Sequence, residues 1–221
     1  GGIADYLKIK KRMLFFFTLL CVASVSSFSF LQKGMITGGF ILIVLANIGM
    51  EGGLVFYNSF LPEITKTTHQ GRVSAWGFGV GYGGSILSLL IALLVVNKGQ
   101  FHAIWVMVAL FFAVFSIPAF IFLPKDSGTT NGLLNSAVEG FKQTWRQLLK
   151  MWQDKDKRRF LIAYLIYEDG INTVITFSSI FAATTLKFKP DELIYMYLMV
   201  QATALTGVFF MARLIDYRGP K

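Results

Sequence analysis

Six times in 221 residues the chain runs for about 20 to 25 residues with almost no charge: roughly 13–31, 35–57, 75–96, 101–123, 160–186 and 193–214. At about 1.5 Å per helical residue, runs of that length match the roughly 30 Å hydrocarbon thickness of a bilayer. In hydrocarbon every backbone N–H and C=O must find a partner within the protein, and runs this long and uniformly apolar satisfy them as helices. A barrel strand would be half as long and would alternate in polarity. The expected fold class is therefore an all-α integral membrane protein with six transmembrane helices. Composition agrees, with 54% hydrophobic and 15% charged residues, against roughly 25% charged in a soluble domain.

A net charge of +9 raises nucleic acid as a partner, and the positions of the charges exclude it. They lie between the apolar blocks, and no DNA- or RNA-binding module can be read in the chain. Membrane topology retains Lys and Arg on the cytoplasmic side. Seventeen fall on one side: Lys8, Lys10, Lys11, Arg12, Lys66, Arg72, eight from Lys125 to Arg159, and Arg213, Arg218 and Lys221. The other side holds four, Lys33, Lys98, Lys187 and Lys189. Both ends of the chain and its long linker are thus expected to be cytoplasmic.

That organisation gives three parts: residues 1–123 with four helices, a linker over 124–159, and 160–221 with two helices. Within the linker, Leu134, Val138, Phe141, Trp145, Leu148, Leu149 and Trp152 recur at helical spacing, with Lys142, Arg146 and Lys150 interleaved. This describes an amphipathic helix, lying either on the bilayer surface or against the cytoplasmic face of the protein. Cys21, the single cysteine, lies inside an apolar run and reads as a buried core thiol.

The two ends repeat one pattern. Gly1-Gly2-Ile3-Ala4-Asp5-Tyr6-Leu7-Lys8-Ile9-Lys10-Lys11 and Ala212-Arg213-Leu214-Ile215-Asp216-Tyr217-Arg218-Gly219-Pro220-Lys221 share a small residue, three residues, Asp, Tyr and then basic residues. The pattern resembles the loop signature of the major facilitator superfamily, G-x-x-x-D-(R/K)-x-G-(R/K)-(R/K), which stands between the second and third helices and, more weakly, between the eighth and ninth. Six helices separate the two copies here, as the two parallel halves of that superfamily require. The resemblance implies a conformational latch at Gly1, Asp5, Lys10 and Lys11 and at Ala212, Asp216, Gly219 and Lys221. Its small residue lets helices approach and its Asp sits by a helix N-terminus. Lys8 and Ala212 stand where the family signature has glycine.

A second stretch is more particular. Tyr57-Asn58-Ser59-Phe60-Leu61-Pro62-Glu63-Ile64 and Gln70-Gly71-Arg72-Val73-Ser74-Ala75-Trp76-Gly77-Phe78-Gly79-Val80-Gly81-Tyr82-Gly83-Gly84 are similar to the fourth-to-fifth helix region of vacuole-effluxer-like permeases, whose relatives export amino acids from yeast vacuoles. Pro62, Glu63, Gly71 and Arg72 are then expected in a cytoplasmic loop. Tyr167-Glu168-Asp169-Gly170-Ile171-Asn172-Thr173-Val174-Ile175 looks like the seventh helix of the same branch, with Glu168 where Asn is more usual. The resemblance implies a twelve-helix major facilitator fold of which this chain holds spans three to eight, with the amphipathic helix as its cytoplasmic linker. The opening on Gly1 without Met, and the end inside a motif, also lead to the expectation of a segment.

Gly79, Gly81 and Gly84 spell G-x-G-x-x-G, yet a dinucleotide site needs a preceding strand and a βαβ setting that are not present. In a membrane helix Gly77-x-x-x-Gly81 and Gly79-x-x-x-Gly83, with Gly84, read as surfaces for close helix packing, sliding or static. Ionisable groups at bilayer depth cost roughly 2.5 to 3.5 kcal/mol on insertion scales and point to function. Asn47, Glu51 and Asn58 share one narrow arc of the second span. Glu168, Asp169, Asn172, Thr173, Thr176 and Ser179 fall within about 140° of the fifth, a stripe suited to a water-filled path. Glu168 or Asp169 is a candidate proton carrier there, or the two form an interfacial acidic pair bonded to Arg158 or Arg159. Gln201 adds a candidate hydrogen bond to a solute.

His69 and His102, expected in loops, have no partner at metal-ligand spacing, and no Ser-His-Asp set, Walker lysine or H-E-x-x-H helix appears. No catalytic residue, metal or cofactor is expected. The function read from the sequence is secondary transport of a small polar solute by alternating access, with amino acids as the implied class and protons as the coupling ion. The expected partners are the lipid bilayer, the solute and protons. The expected setting is the bacterial inner membrane, with a monomer at full length. The alternative is a self-contained six-helix scaffold or assembly protein without transport activity.

Overall fold

The computed structural model describes residues 4, 8–66, 69–126, 128 and 133–218, with side chains omitted from the description at 133–137 and 211–218. The helices are α1 (Lys10–Ser27), α2 (Ile36–Ser59), the one-turn α3 (Leu61–Ile64), α4 (Gln70–Asn97), α5 (Phe101–Phe122), α6 (Leu133–Gln153), α7 (Lys155–Thr184) and α8 (Pro190–Arg218). Six of them are long and apolar enough to cross a membrane, and no strand occurs among the described residues. The protein is an all-α, multi-pass membrane protein.

α7 runs past the apolar limit read from sequence because a polar cap extends it. α7 starts at Lys155 rather than near 160, because Asp154 caps it: the Asp154 carboxylate accepts from the backbone N–H of Asp156 at 3.1 Å and of Lys157 at 3.3 Å. The Lys157 ammonium adds an ion pair at 3.0 Å. That hydrogen bonding from Lys157 holds the Asp154 carboxyl below the usual carboxylate range. Hydropathy marks where the hydrocarbon ends, whereas the cap marks where the helix begins. α7 has 30 residues, or about 45 Å, enough for its charged first turn to clear a core about 30 Å thick.

The segment expected as a loop between the second and third spans is mostly helical. Pro62 occupies the start of α3, where its missing N–H costs nothing, and Glu63 lies in the same turn. Gly71 and Arg72 belong to the first turn of α4, behind His69 at its N-cap position. His102 likewise sits in the first turn of α5, not in a loop. Its Nδ1–H donates to the Ser29 carbonyl at 3.0 Å, a proton placement fixed because a carbonyl only accepts. After α4, Gly99 adopts φ +69 and donates to the Val96 carbonyl at 2.8 Å, the left-handed stop that lets the chain reverse into α5.

The chain divides into two compact units, Gly1–Lys10 with Asp126–Leu193, and Lys11–Lys125 with Ile194–Lys221. The first contains α6 and α7, and the Gly128 N–H donates to the Lys8 carbonyl at 3.2 Å within it. In the second, α1 turns a stripe of Leu14, Thr18, Cys21 and Ser24 inward. Small residues there admit α2: a β-carbon added to Gly49 would lie 2.6 Å from the Cys21 nitrogen and 2.9 Å from its Cα. One turn on, Gly52 faces the Phe17 ring, which stacks on Phe56 with centroids 5.6 Å apart. Phe15 meets Phe120 edge-on at 5.4 Å, and Phe28 meets Trp105 at 4.8 Å, tying α1 and the 3-10 turn after it to α5. The large aliphatic and aromatic side chains otherwise face outward, as a protein solvated by lipid requires.

Two outcomes follow from this packing. Gly49→Ala places a methyl against backbone that has no rotamer to yield, so the full-length protein in detergent should lose about 1–3 kcal/mol of stability, read as a lower midpoint of thermal aggregation. Gly83→Ala, which meets nothing within 4 Å among the described residues, should leave that midpoint unchanged or raise it. Asp154→Ala should speed hydrogen exchange at the Asp156 and Lys157 amides. Because the folded carboxyl is held below its usual value, protection of those amides should persist at neutral pH and disappear as pH falls through that depressed value.

Candidate functional site

Two adjoining cavities of about 310 and 700 Å³ lie within the larger unit. Both are walled by Tyr57 of α2, by Gly77, Gly81 and Ser85 of α4, and by Gln201 of α8. On α4 the wall is a continuous stripe: Gly77, Gly81, Gly84, Ser85 and Ser88 fall within about 100° at helical spacing. The volume exists because these positions carry little side chain. A β-carbon on Gly81 or Gly84 would meet no atom within 4 Å among the described residues, and one on Gly77 would only reach the Tyr57 hydroxyl at 3.6 Å.

The glycine series was expected to press helices together, and within this chain it opens space instead. Gly83 also meets nothing within 4 Å among the described residues, and Gly79 comes no nearer than 3.7 Å to the Phe209 ring. Phe209 in turn packs edge-on against Trp76 at 6.2 Å, so bulky side chains set the separation of α4 and α8 there. The tight crossing belongs to Gly49 and Gly52, which the sequence reading did not single out.

The polar groups at the cavity walls are all uncharged. The smaller cavity is faced by Tyr57, Asn58, Ser74, Tyr82, Ser85 and Gln201. Ser88 and Tyr197 join at the larger one. Among the described residues, neither wall includes an Asp, Glu, Lys, Arg or His. Such an arrangement binds by neutral hydrogen bonds with an aromatic and aliphatic surround, and its size lies in the range of small-molecule sites.

Of the residues expected to contact a solute, Asn58 and Gln201 line this space and Asn47 and Glu51 do not. The shared arc on α2 reaches the smaller cavity only at Asn58, and the larger cavity faces the neighbouring side that carries Met50 and Tyr57, about 100° from Glu51. Asn47 and Glu51 are exposed, and the Asn47 amide donates to the Ile43 carbonyl one turn back at 2.9 Å. Glu168, Asp169, Asn172, Thr173 and Thr176 belong to α7, in the other unit. Glu168 is half-buried and hydrogen-bonded by the Tyr164 hydroxyl one turn before it; the other four are exposed. Ser179 closes the stripe by donating to the Thr176 carbonyl at 2.8 Å.

The latch positions are only partly visible. Gly1, Asp5, Gly219 and Lys221 lie outside the described residues. Ala212 and Asp216 are within α8, which continues as helix to Arg218. Lys10 and Lys11 open α1, and the Lys11 ammonium donates to the Leu123 carbonyl at 2.7 Å, a cation on the C-terminal end of α5. Residues that sequence reasoning missed as wall groups are Tyr57, Ser74, Tyr82, Ser85, Ser88 and Tyr197. The signal for the serines was present, since they prolong Gly77-x-x-x-Gly81 by further steps of three and four.

Among known proteins, the chain is 29% identical over 196 residues to an uncharacterized MFS-type transporter, YxiO, of Bacillus subtilis, covering 81% of this chain and 44% of that protein. Autophagy-related protein 22-1 of Neosartorya fischeri is 28% identical over 153 residues, covering 62% of this chain and 25% of its own length. Autophagy-related protein 22 of Yarrowia lipolytica is 25% identical over 179 residues, or 68% of this chain and 30% of that one. The chain thus spans less than half the length of these relatives. No solved structure matches it. The sequence model of the family described as vacuole effluxer Atg22 like matches residues 1–218. With nearly its whole length matched, the chain belongs to the vacuole effluxer Atg22-like family.

Proposed function

We propose that the full-length protein is a secondary transporter of the major facilitator type that moves a small, polar solute of zero net charge, amino acids included, by alternating access. The observation that carries this reading is the pair of cavities walled by Tyr57, Asn58, Ser85 and Gln201 with no fixed charge among their described lining residues. A zwitterion can be met there by hydroxyl and amide groups at both ends, whereas a net ion would find no counter-charge. The family description, effluxer, and the transporter name of the Bacillus relative support the same activity.

Proton coupling is assigned in this proposal to Glu168 and Asp169 on α7, acidic groups within a helix long enough to span. The basic residues, seventeen to four by side, support a cytoplasmic position for both ends of the chain and the α6 segment. The bacterial inner membrane is the proposed site, and a monomer the working unit. The latch reading of Asp5 and Asp216 belongs to the same proposal.

The experiment is counterflow and gradient-driven uptake in proteoliposomes of the full-length protein, with labelled neutral amino acids. Losing one neutral hydrogen bond worth about 0.5–1.5 kcal/mol should raise the apparent KM in Tyr57→Phe and Gln201→Leu by about two- to tenfold. Unchanged counterflow in both variants would remove the cavity from the solute path. Glu168→Gln or Asp169→Asn should abolish acceleration by a pH gradient while counterflow persists. A preserved pH response in both would end the coupling assignment.

A further inference from the structure

The amphipathic helix α6 takes no part in the transport reading and carries its own chemistry. Val138, Phe141, Trp145, Leu148, Leu149 and Trp152 occupy about 100° of its circumference. All six are exposed, Phe141 at 63% and Trp145 at 53%. Lys142, Arg146 and Lys150 form a ridge at successive steps of four along one edge of this face. Lys142 pairs with Glu139 at 3.3 Å, and among the described residues Arg146 and Lys150 make no ion pair. From Leu133 to Arg159 seven basic side chains stand against three acidic ones. One residue, Asp154, separates the end of α6 from the start of α7, itself a membrane-crossing helix.

We infer that α6 docks along the surface of the bilayer that α7 enters, with its apolar face among the acyl chains and its basic ridge on anionic phospholipid headgroups. An exposed apolar stripe of this width demands cover, and the hydrocarbon that receives α7 begins within a turn or two of Gln153. Two tryptophans on the stripe suit the water–lipid boundary, where an apolar ring and an N–H donor are both accommodated. The excess of Lys and Arg selects anionic over zwitterionic lipid, because each basic side chain near such a surface adds attraction that neutral headgroups do not supply.

The test uses the full-length protein in lipid nanodiscs, with Cys21→Ala and any other cysteines replaced, and a spin label at Leu148→Cys or at Gln147→Cys. Leu148 lies on the apolar face and Gln147 on the opposite one. With phosphatidylglycerol present, the label at 148 should collide with oxygen and be shielded from a water-soluble nickel complex, and the label at 147 should show the reverse. In pure phosphatidylcholine, or with Lys142→Glu, Arg146→Glu and Lys150→Glu combined, nickel access at 148 should rise several-fold. Nickel access at both positions in anionic bilayers overturns the docking. Shielding of 148 from oxygen and nickel alike means another part of the protein covers the face, and also overturns it. Lipid-type accessibility that ignores both headgroup charge and the triple reversal overturns the anionic preference.

Discussion

Every backbone polar group inside hydrocarbon has to be satisfied by the protein, and an unsatisfied one costs several kcal/mol. That requirement makes the spans helical whatever their side chains are, and it takes away the hydrophobic effect as the force that joins them, since lipid is as apolar as leucine. What joins α1 to α2 is therefore proximity. Gly49 lets the backbone of α2 come against Cys21, and Thr18 and Ser24 on the same stripe keep the groove shallow along its length. The Phe17 ring stacked on Phe56 then widens that contact, while Phe28 with Trp105 fastens the turn after α1 to α5.

Glycine does two opposite things in this chain, and its surroundings decide which. At Gly49 and Gly52 neighbouring atoms occupy the room a side chain would need. At Gly81 and Gly84 no neighbour moves in, because Trp76 and Phe209 meet at 6.2 Å on the adjoining face and hold α4 and α8 apart. The missing side chains become volume, and Ser85 and Ser88 extend the same small-residue stripe with hydroxyls. A small-xxx-small pattern on its own fixes only that a helix face is low, not whether a helix or a solute fills the hollow.

The spans could be read from hydropathy because bilayer thickness is a hard length, and the amphipathic helix because its period is sharp. Boundaries were less legible where capping ruled: Asp154 starts α7 amid Lys and Arg that no hydropathy window would include. On α2 the polar arc of Asn47, Glu51 and Asn58 pointed to the correct helix and the adjacent face. The helical period groups residues around an axis, but only contacts with neighbouring helices decide which sector is walled in. Gln201 was legible as an isolated polar group within an apolar run and Asn58 as a member of that arc, and Tyr57 was missed as a wall group since tyrosine is ordinary in any span.

The lack of a charged group among the described wall residues also bears on how tightly a solute would be held. Neutral hydrogen bonds contribute about 0.5–1.5 kcal/mol each net of the water they replace. Four or five of them, from groups such as Tyr57, Asn58, Ser85 and Gln201, reach about 4 to 5 kcal/mol, which corresponds to a dissociation constant near the millimolar range. Affinity of that order suits a site that must release what it binds on the far side of the membrane. A buried counter-ion would bind more tightly and slow the return step. On this reading the carboxylates are better placed on another helix than among the binding groups, because they can then change charge state without altering the strength with which the solute is held. On the proposed reading, solute recognition would fall to α2, α4 and α8 and the response to pH to α7.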